Sequence, residues 1–246
     1  MIWIGTSGWV YKHWIGCFYS PEMKQRDWLR HYASVFPTVE INRSFYRLPT
    51  RENFEAWAQQ AGSHPGFQFA TKASRYLTHI KRLNEPEEPV RALVEAAEGL
   101  GEHAGPYLYQ MPPRWKANPE RLRAFISHLP PGHKAAFEFR DNSWYGEEIL
   151  RILGEGGYAL VRAIGGYYTP MEVPDVGPFR YLRVHGGQWG IGLSEGELQY
   201  WADRIANDAH NGIETYIYFN NDPECQALYN AYRLRDMLAH TGAVVP

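Results

Sequence analysis

The sequence is poor in cysteine, in net charge and in long apolar runs, and each shortage removes a class of function. Two of its 246 residues are cysteine, Cys17 and Cys225, far apart and in no metal-like spacing. That argues against a disulfide scaffold and a cysteine zinc site, and it predicts a reducing, cytoplasmic setting. The formal net charge is −2. A dedicated duplex-DNA binder needs a strong basic excess to displace counterions, so there is no strong duplex-DNA signature. A local basic cleft is still compatible with that balance. No window approaches the roughly 18 apolar residues of a membrane span, and the chain opens on a strand-like run, Ile2-Trp3-Ile4, without a charged leader. No membrane partner is expected. No glycine-rich phosphate loop follows that first strand, because Gly5-Thr6-Ser7-Gly8-Trp9 is too short and too aromatic. No two histidines stand four apart, so no catalytic metal is expected and no cofactor is named.

What the sequence does have is alternation. Short β-like runs fall at Trp3-Gly5, Thr38-Asn42, Phe67-Lys72, Tyr107-Gln110, Ala135-Arg140, Ala159-Arg162, Arg180-His185 and Thr215-Asn220. Amphipathic helical patterns lie between most of them. Val90, Leu93, Val94 and Ala97 follow helical spacing, as do Phe54, Trp57, Ala58 and Ala61. Asn118-Pro119 reads as an N-cap with proline at the first helical position, and Ser194 with Glu197 reads as a capping box. A last helix runs from Pro223 towards Leu238. Eight such units in about 250 residues predict an α/β fold, a TIM (β/α)8 barrel over residues 1–246 as a single domain. The stretch from Gly165 to Pro178 is rich in Gly and Pro without helical period, so the barrel is expected to be irregular around the sixth βα unit.

The strand ends carry the chemistry. Strand residues alternate between barrel interior and helix layer. Glu40 and Asn42 therefore share a face, opposite Val39 and Ile41. Glu138 and Arg140 oppose Phe137 and Phe139, and Arg183 and His185 oppose Leu182 and Val184. Lys72 and Gln110 end the third and fourth strands, and Asn220-Asn221-Asp222 follows the eighth. If the apolar faces pack on helices, the polar ones meet in the barrel mouth, where barrel enzymes place their catalytic groups.

The pattern resembles a known family. Gly5-Thr-Ser-Gly-Trp9 with Trp14, Val39-Glu-Ile-Asn42 with Phe45-Tyr-Arg-Leu-Pro49, Lys72 with Thr78-His79, Gln110-Met-Pro-Pro113, Phe137-Glu-Phe-Arg140 with Ser143-Trp144, Arg183-Val-His-Gly186 and Phe219-Asn-Asn-Asp222 are similar to the YecE-like family, domain of unknown function 72. The resemblance covers nearly the whole chain. It implies a TIM barrel and no established reaction. Arg43, the strand end Val161-Arg-Ala-Ile164 and the segment Gly186-Gly-Gln-Trp-Gly190 depart from the family pattern.

Read for roles, Glu40 or Glu138 is the candidate general base and His185 the partner acid. Arg140, Arg183 and Lys72 suit an anion, phosphate above all. Asn42, His79, Gln110, Asn220, Asn221 and Asp222 complete the binding set. The loop aromatics Trp9, Tyr11, Trp14, Tyr46, Trp144 and Trp189 could stack on a sugar or base, with Trp9 and Trp144 the strongest candidates for ligand contact. The expected function is hydrolysis of a phosphate-containing substrate: nucleotide, nucleic acid or sugar phosphate. Two alternatives stand beside it, a non-catalytic nucleotide or nucleic-acid binding module, and a glycosidase using two carboxylates, which would need both of them free of arginine. Lys72 as a Schiff-base amine is a minor option.

Overall fold

In a computed structural model describing residues 1–62, 64–166, 169–188 and 190–242, the eight runs close into a parallel barrel in strict sequence order. The strands are β1 Ile2–Ser7, β2 Thr38–Ile41, β3 Gln68–Lys72, β4 Ala104–Gln110, β5 Ala135–Glu138, β6 Ala159–Ile164, β7 Phe179–Val184 and β8 Glu214–Phe219. The helices are α1 Trp28–Ala33, the short α2 Arg43–Tyr46, α3 Arg51–Ala61, α4 Glu87–Ala97, α5 Pro119–Ile126, α6 Glu147–Glu155, α7 Glu195–His210 and α8 Gln226–Ala239. Local signals become local contacts. The Asn118 side chain accepts the Arg121 N–H at the start of α5, and Ser194 and Glu197 form their capping box on α7.

Alternation along the strands sorts the core into two layers. Val39, Ile41, Phe137, Phe139, Leu182 and Val184 face outward into the helix layer. The interior holds Trp3, Ala70, Leu108, Ala136, Ala159, Val161, Phe179, Tyr181, Tyr216 and Tyr218. The division of sizes is physical. Small alanines on β3, β5 and β6 leave room for the large rings from β7 and β8, so the barrel is filled rather than open. Buried tyrosine hydroxyls need partners, and these have them: Tyr218 meets Thr38 at 2.8 Å, and Tyr216 donates to Gln68 at 2.7 Å. Gly5 is required by the closure between β1 and β2. A Cβ there would stand 2.1 Å from the Thr38 carbonyl oxygen.

No helix joins β6 to β7 among the described residues, as the sequence predicts. Arg162 stands on the outward face of β6 in its place. Its guanidinium is buried and donates to the carbonyls of Pro170 and Val173 and to Asp175. One arginine thus holds a loop over a strand that elsewhere a helix covers.

The two cysteines correct an expectation. Cys17 follows β1 and Cys225 follows β8, the strands whose pairing closes the barrel, and they form a disulfide across 208 residues. It is a single clip and not a scaffold. Distance along the chain concealed it, because closure makes the first and last units neighbours. We predict that replacing both cysteines with serine, or reducing them, lowers stability by about 2–4 kcal/mol, measured by chemical denaturation. A midpoint unchanged by reductant would show that the bond contributes nothing.

Candidate functional site

Interior parity brings strand-end residues from seven strands to one end of the barrel. Ser7 comes from β1, Glu40 from β2, Lys72 from β3, Gln110 from β4, Glu138 from β5, Arg183 from β7, and Asn220 follows β8. Arg140 and His185 stand just past β5 and β7 in the same phase. The Ser44 hydroxyl donates to the Lys72 carbonyl at 2.6 Å and fixes the end of β3 against α2.

Arg183 lies at the centre, 1% exposed, between two carboxylates that are completely buried. Towards Glu40 it forms a fork, Nε donating to Oε2 at 3.0 Å and Nη2 to Oε1 at 2.7 Å. Towards Glu138, Nη1 donates to Oε2 at 2.6 Å, and the same nitrogen reaches Gln110 Oε1 at 3.2 Å. Glu40 is completed by the hydroxyls of Ser7 and Tyr181, each at 2.7 Å. Glu138 is completed by Arg140 Nε at 2.9 Å, while Arg140 Nη2 also donates to Gln110 at 3.1 Å. Burial alone would push both carboxyls up. Arg183 outweighs it, helped by Lys72 at Glu40 and by His185 and Arg140 at Glu138, so both are held below the usual carboxylate range.

Above this network lies a cavity of about 570 Å³, lined by Tyr11, Asn42, Phe45, Tyr46, Lys72, Arg75, His79, Gln110, Arg140, Arg183 and Asn220. Four of these carry a guanidinium or an amine, and none is a carboxylate. Lys72 is 8% exposed, with its amine 4.3 Å from the centre of the Phe45 ring. Burial, then the nearby Arg183, lowers its pKa to about 7. His79 sits on a five-residue π-helical turn, Tyr76–Ile80, with Nδ1 2.9 Å from the Thr78 hydroxyl. Burial, followed by Lys72 and Arg140, lowers its pKa to about 4, so it is neutral at pH 7. Asn220 donates to Nδ1 of His185 at 3.1 Å. His185 Nε2 is buried 3.7 Å from the Glu138 carboxylate, within ion-pairing range, and has no hydrogen-bond partner among the described residues. Asn42 Oδ1 is buried and unpartnered in the same sense.

Four residues expected at the site stand elsewhere. Trp144 is fully buried in the outer layer, stacked on Phe139 at 4.7 Å and donating to the Trp115 carbonyl. Trp9 packs on Trp57 and Phe69, and borders a neighbouring groove with Arg43 and Gln60. Asn221 donates to the Ile191 carbonyl and to Asn230, tying the β7 and β8 loops together. Asp222 accepts the Trp14 indole N–H at 2.6 Å and pairs with His13, beside the disulfide. These side chains follow strand ends closely, but loop residues are aimed by packing, not by strand parity. Trp14 is likewise fully buried, and Trp189 lies outside the described residues. Residues not singled out for the site also matter. Ser7 and Tyr181 hold Glu40, and interior parity with Arg183 was a usable signal for Tyr181. Phe45 lines the cavity from α2 and Arg75 from the start of the π-helical turn after β3, with no comparable signal. Among the described residues no three His, Cys, Asp or Glu side chains converge as metal ligands, and no helix is long and apolar enough to cross a membrane.

Breaking a buried ion network should cost more than deleting it. We predict that Arg183→Met destabilises the fold by about 3–5 kcal/mol, because two buried carboxylates lose their counter-charge. Adding Glu40→Gln and Glu138→Gln should recover most of that loss, as read by denaturant unfolding. The pH dependence follows the same logic. Both carboxyls titrate lower in the fold than at their ordinary 4.5. Their contribution is therefore complete above that value and fades as pH falls through the folded values, so acid unfolding should set in below pH 4.5.

Comparison with known proteins agrees with this architecture. A family described as "Protein of unknown function DUF72" matches residues 3–245. A DUF72 family protein of Thermotoga maritima superimposes with a TM-score of 0.83 at 27% identity, covering 97% of this chain and 99% of that one. One from Enterococcus faecalis, at 21% identity, shares the fold with a TM-score of 0.79 over 97% and 96% of the two chains. The UPF0759 protein YunF of Bacillus subtilis is 27% identical over 188 residues, which are 72% of this chain and 62% of that protein. The chain thus spans less than two thirds of that curated relative. With the match running over nearly every residue of the barrel, the chain belongs to the DUF72 family.

Proposed function

We propose that the barrel mouth is an enzyme site for a phosphate-bearing anion, within one domain formed by residues 1–246. The observation that carries this reading is the lining of the cavity: Lys72, Arg75, Arg140 and Arg183 face it and no carboxylate does. The two glutamates that contribute negative charge nearby are already committed to Arg183 and Arg140. A dianionic group entering the mouth would meet guanidinium N–H groups and an amine without a competing acid.

The same geometry supports a revised division of labour. Glu40 accepts four hydrogen bonds and Glu138 is clamped by two arginines, so both are poor bases at neutral pH. Their role in this reading is to hold Arg183 and Arg140. A hydrolase would instead move protons through Lys72, whose pKa of about 7 suits either direction of transfer, and neutral His79. Both carboxylates being clamped by cations counts against the two-carboxylate glycosidase. A nucleic-acid ligand has one observation in its favour: the loops after β2, β3 and β4 carry the exposed Arg43, Arg47, Arg75, Arg82 and Arg114. A phosphorylated substrate favours the cytoplasm, whereas the Cys17–Cys225 bond favours an oxidising setting, so the cytoplasmic assignment rests on the substrate reading.

Inorganic phosphate should raise the melting temperature in a saturable, salt-sensitive way, and Arg140→Gln should weaken that binding at least about tenfold. A wild-type protein indifferent to phosphate and to simple phosphate esters contradicts the reading. Affinity that rises with the length of a single-stranded oligonucleotide, with a salt slope above one, would favour the nucleic-acid ligand instead.

A further inference from the structure

We infer that Lys72 is a nucleophilic amine that captures the carbonyl carbon of a phosphate-bearing aldehyde or ketone as an imine. The inference rests on the anion site proposed above, and it replaces ester hydrolysis with carbonyl chemistry as the reaction.

The six lysines of the chain differ in what holds them. Lys81, Lys116 and Lys134 are ion-paired with Glu85, Asp141 and Glu214. Lys12 and Lys24 are exposed. Lys72 alone is buried, and among the described residues its amine makes no hydrogen bond or ion pair. The carboxylates that could pair with it, Glu40 and Glu138, are engaged by Arg183. A buried ammonium without a counter-ion is costly, and it relieves that cost by giving up its proton. The amine nevertheless faces the 570 Å³ cavity, beside Arg75 and Arg140. A neutral amine at the end of a rigid strand, with cations around it to hold an anionic substituent, is what carbonyl capture requires. Burial and the charges of Arg183 and Arg140 act against the ammonium, while Glu40 and Glu138 favour it. The balance leaves a pKa of about 7, with about half of the amine neutral at that pH. His79, from the turn after β3, adds no charge at that pH.

The step balances without any further reagent. The lone pair of Nζ attacks the carbonyl carbon and forms the C–N bond as the carbonyl π pair moves to oxygen and takes a proton. The nitrogen gives up a proton, the C–O bond breaks, the hydroxyl leaves as water after taking another proton, and C=N remains. Nothing is oxidised or reduced. Protonated, that imine draws electrons from the adjacent carbon, which is the starting point for aldol cleavage or isomerisation of a sugar phosphate. His79, neutral at pH 7, lines the same cavity and is the group placed to relay protons, while the Tyr11 hydroxyl, also at the cavity, donates to the Ser7 carbonyl.

The test is reductive trapping on the full chain. Glycolaldehyde phosphate is added with sodium cyanoborohydride, which supplies the hydride, and labelled sites are mapped by mass spectrometry. Lys72 should be labelled at pH 7 at least about tenfold faster than any other lysine, because an ordinary lysine amine in water is almost wholly protonated there. Its rate should rise through pH 7 and then level, and inorganic phosphate should compete. Lys72→Arg keeps the charge and must abolish the label, while a thermal melt reports that it folds. Wild-type labelling at Lys72 no faster than at surface lysines overturns the inference. If inorganic phosphate still stabilises the protein through Arg140 in that case, the anion site stands and only the imine falls. Equal labelling by phosphate-free glycolaldehyde would keep the imine and remove the anion site.

Discussion

The structure turns on one buried guanidinium. Arg183 of β7 is gripped by Glu40 from β2 and Glu138 from β5, strands that lie on separate parts of the barrel wall. Such an arrangement is not cheap: each ion loses its hydration, and the Coulombic return depends on nearly complete hydrogen bonding. The hydroxyls of Ser7 and Tyr181, the Gln110 amide and Arg140 provide that bonding. A half-satisfied version would be worse than an apolar core. The network therefore specifies one arrangement of strand ends and turns both acids towards the arginines, away from the cavity.

That commitment determines the character of the mouth. With both carboxylates satisfied from below, the cavity above them is left with amine, guanidinium, amide and aromatic surface. Lys72 is held by its strand and by the Ser44 hydroxyl at its carbonyl, in reach of the cavity, its amine over the Phe45 ring and, among the described residues, without a hydrogen bond or ion pair. A charge placed so expensively is seldom an aid to folding. The layer below is rigid for a different reason. Tyr181, Tyr216 and Tyr218 fill the space that alanines on β3, β5 and β6 leave open, and their hydroxyls are bonded. The mouth thus rests on a packed floor.

Strand parity explains what could be read from the sequence. A period of two assigns Glu40, Asn42, Glu138, Arg140, Arg183 and His185 to one face as soon as Val39, Phe137 and Leu182 are assigned to the other, and closure then brings them together. Parity does not say which charge pairs with which. The glutamates read as free bases, whereas the arginine between them consumes their hydrogen-bonding capacity. Trp9 and Trp144 were misplaced for a related reason: beyond the last strand residue, direction is set by loop packing. The Cys17–Cys225 bond depended on knowing that the first and last units touch. Arg162 in place of a helix between β6 and β7 left only an indirect trace, the missing helical period from Gly165 to Pro178.

Arg183 satisfies both acids and leaves Lys72 as a buried amine with no ion pair among the described residues. The most direct measurement is the titration of that amine by NMR in the folded protein, with lysine side chains isotope-labelled and Lys72 assigned through Lys72→Arg. The expected midpoint is near pH 7, well below the ordinary lysine value of 10.5. A Lys72 that titrates with the surface lysines would mean that a carboxylate or water serves it, and the proposed chemistry of the mouth would have no basis.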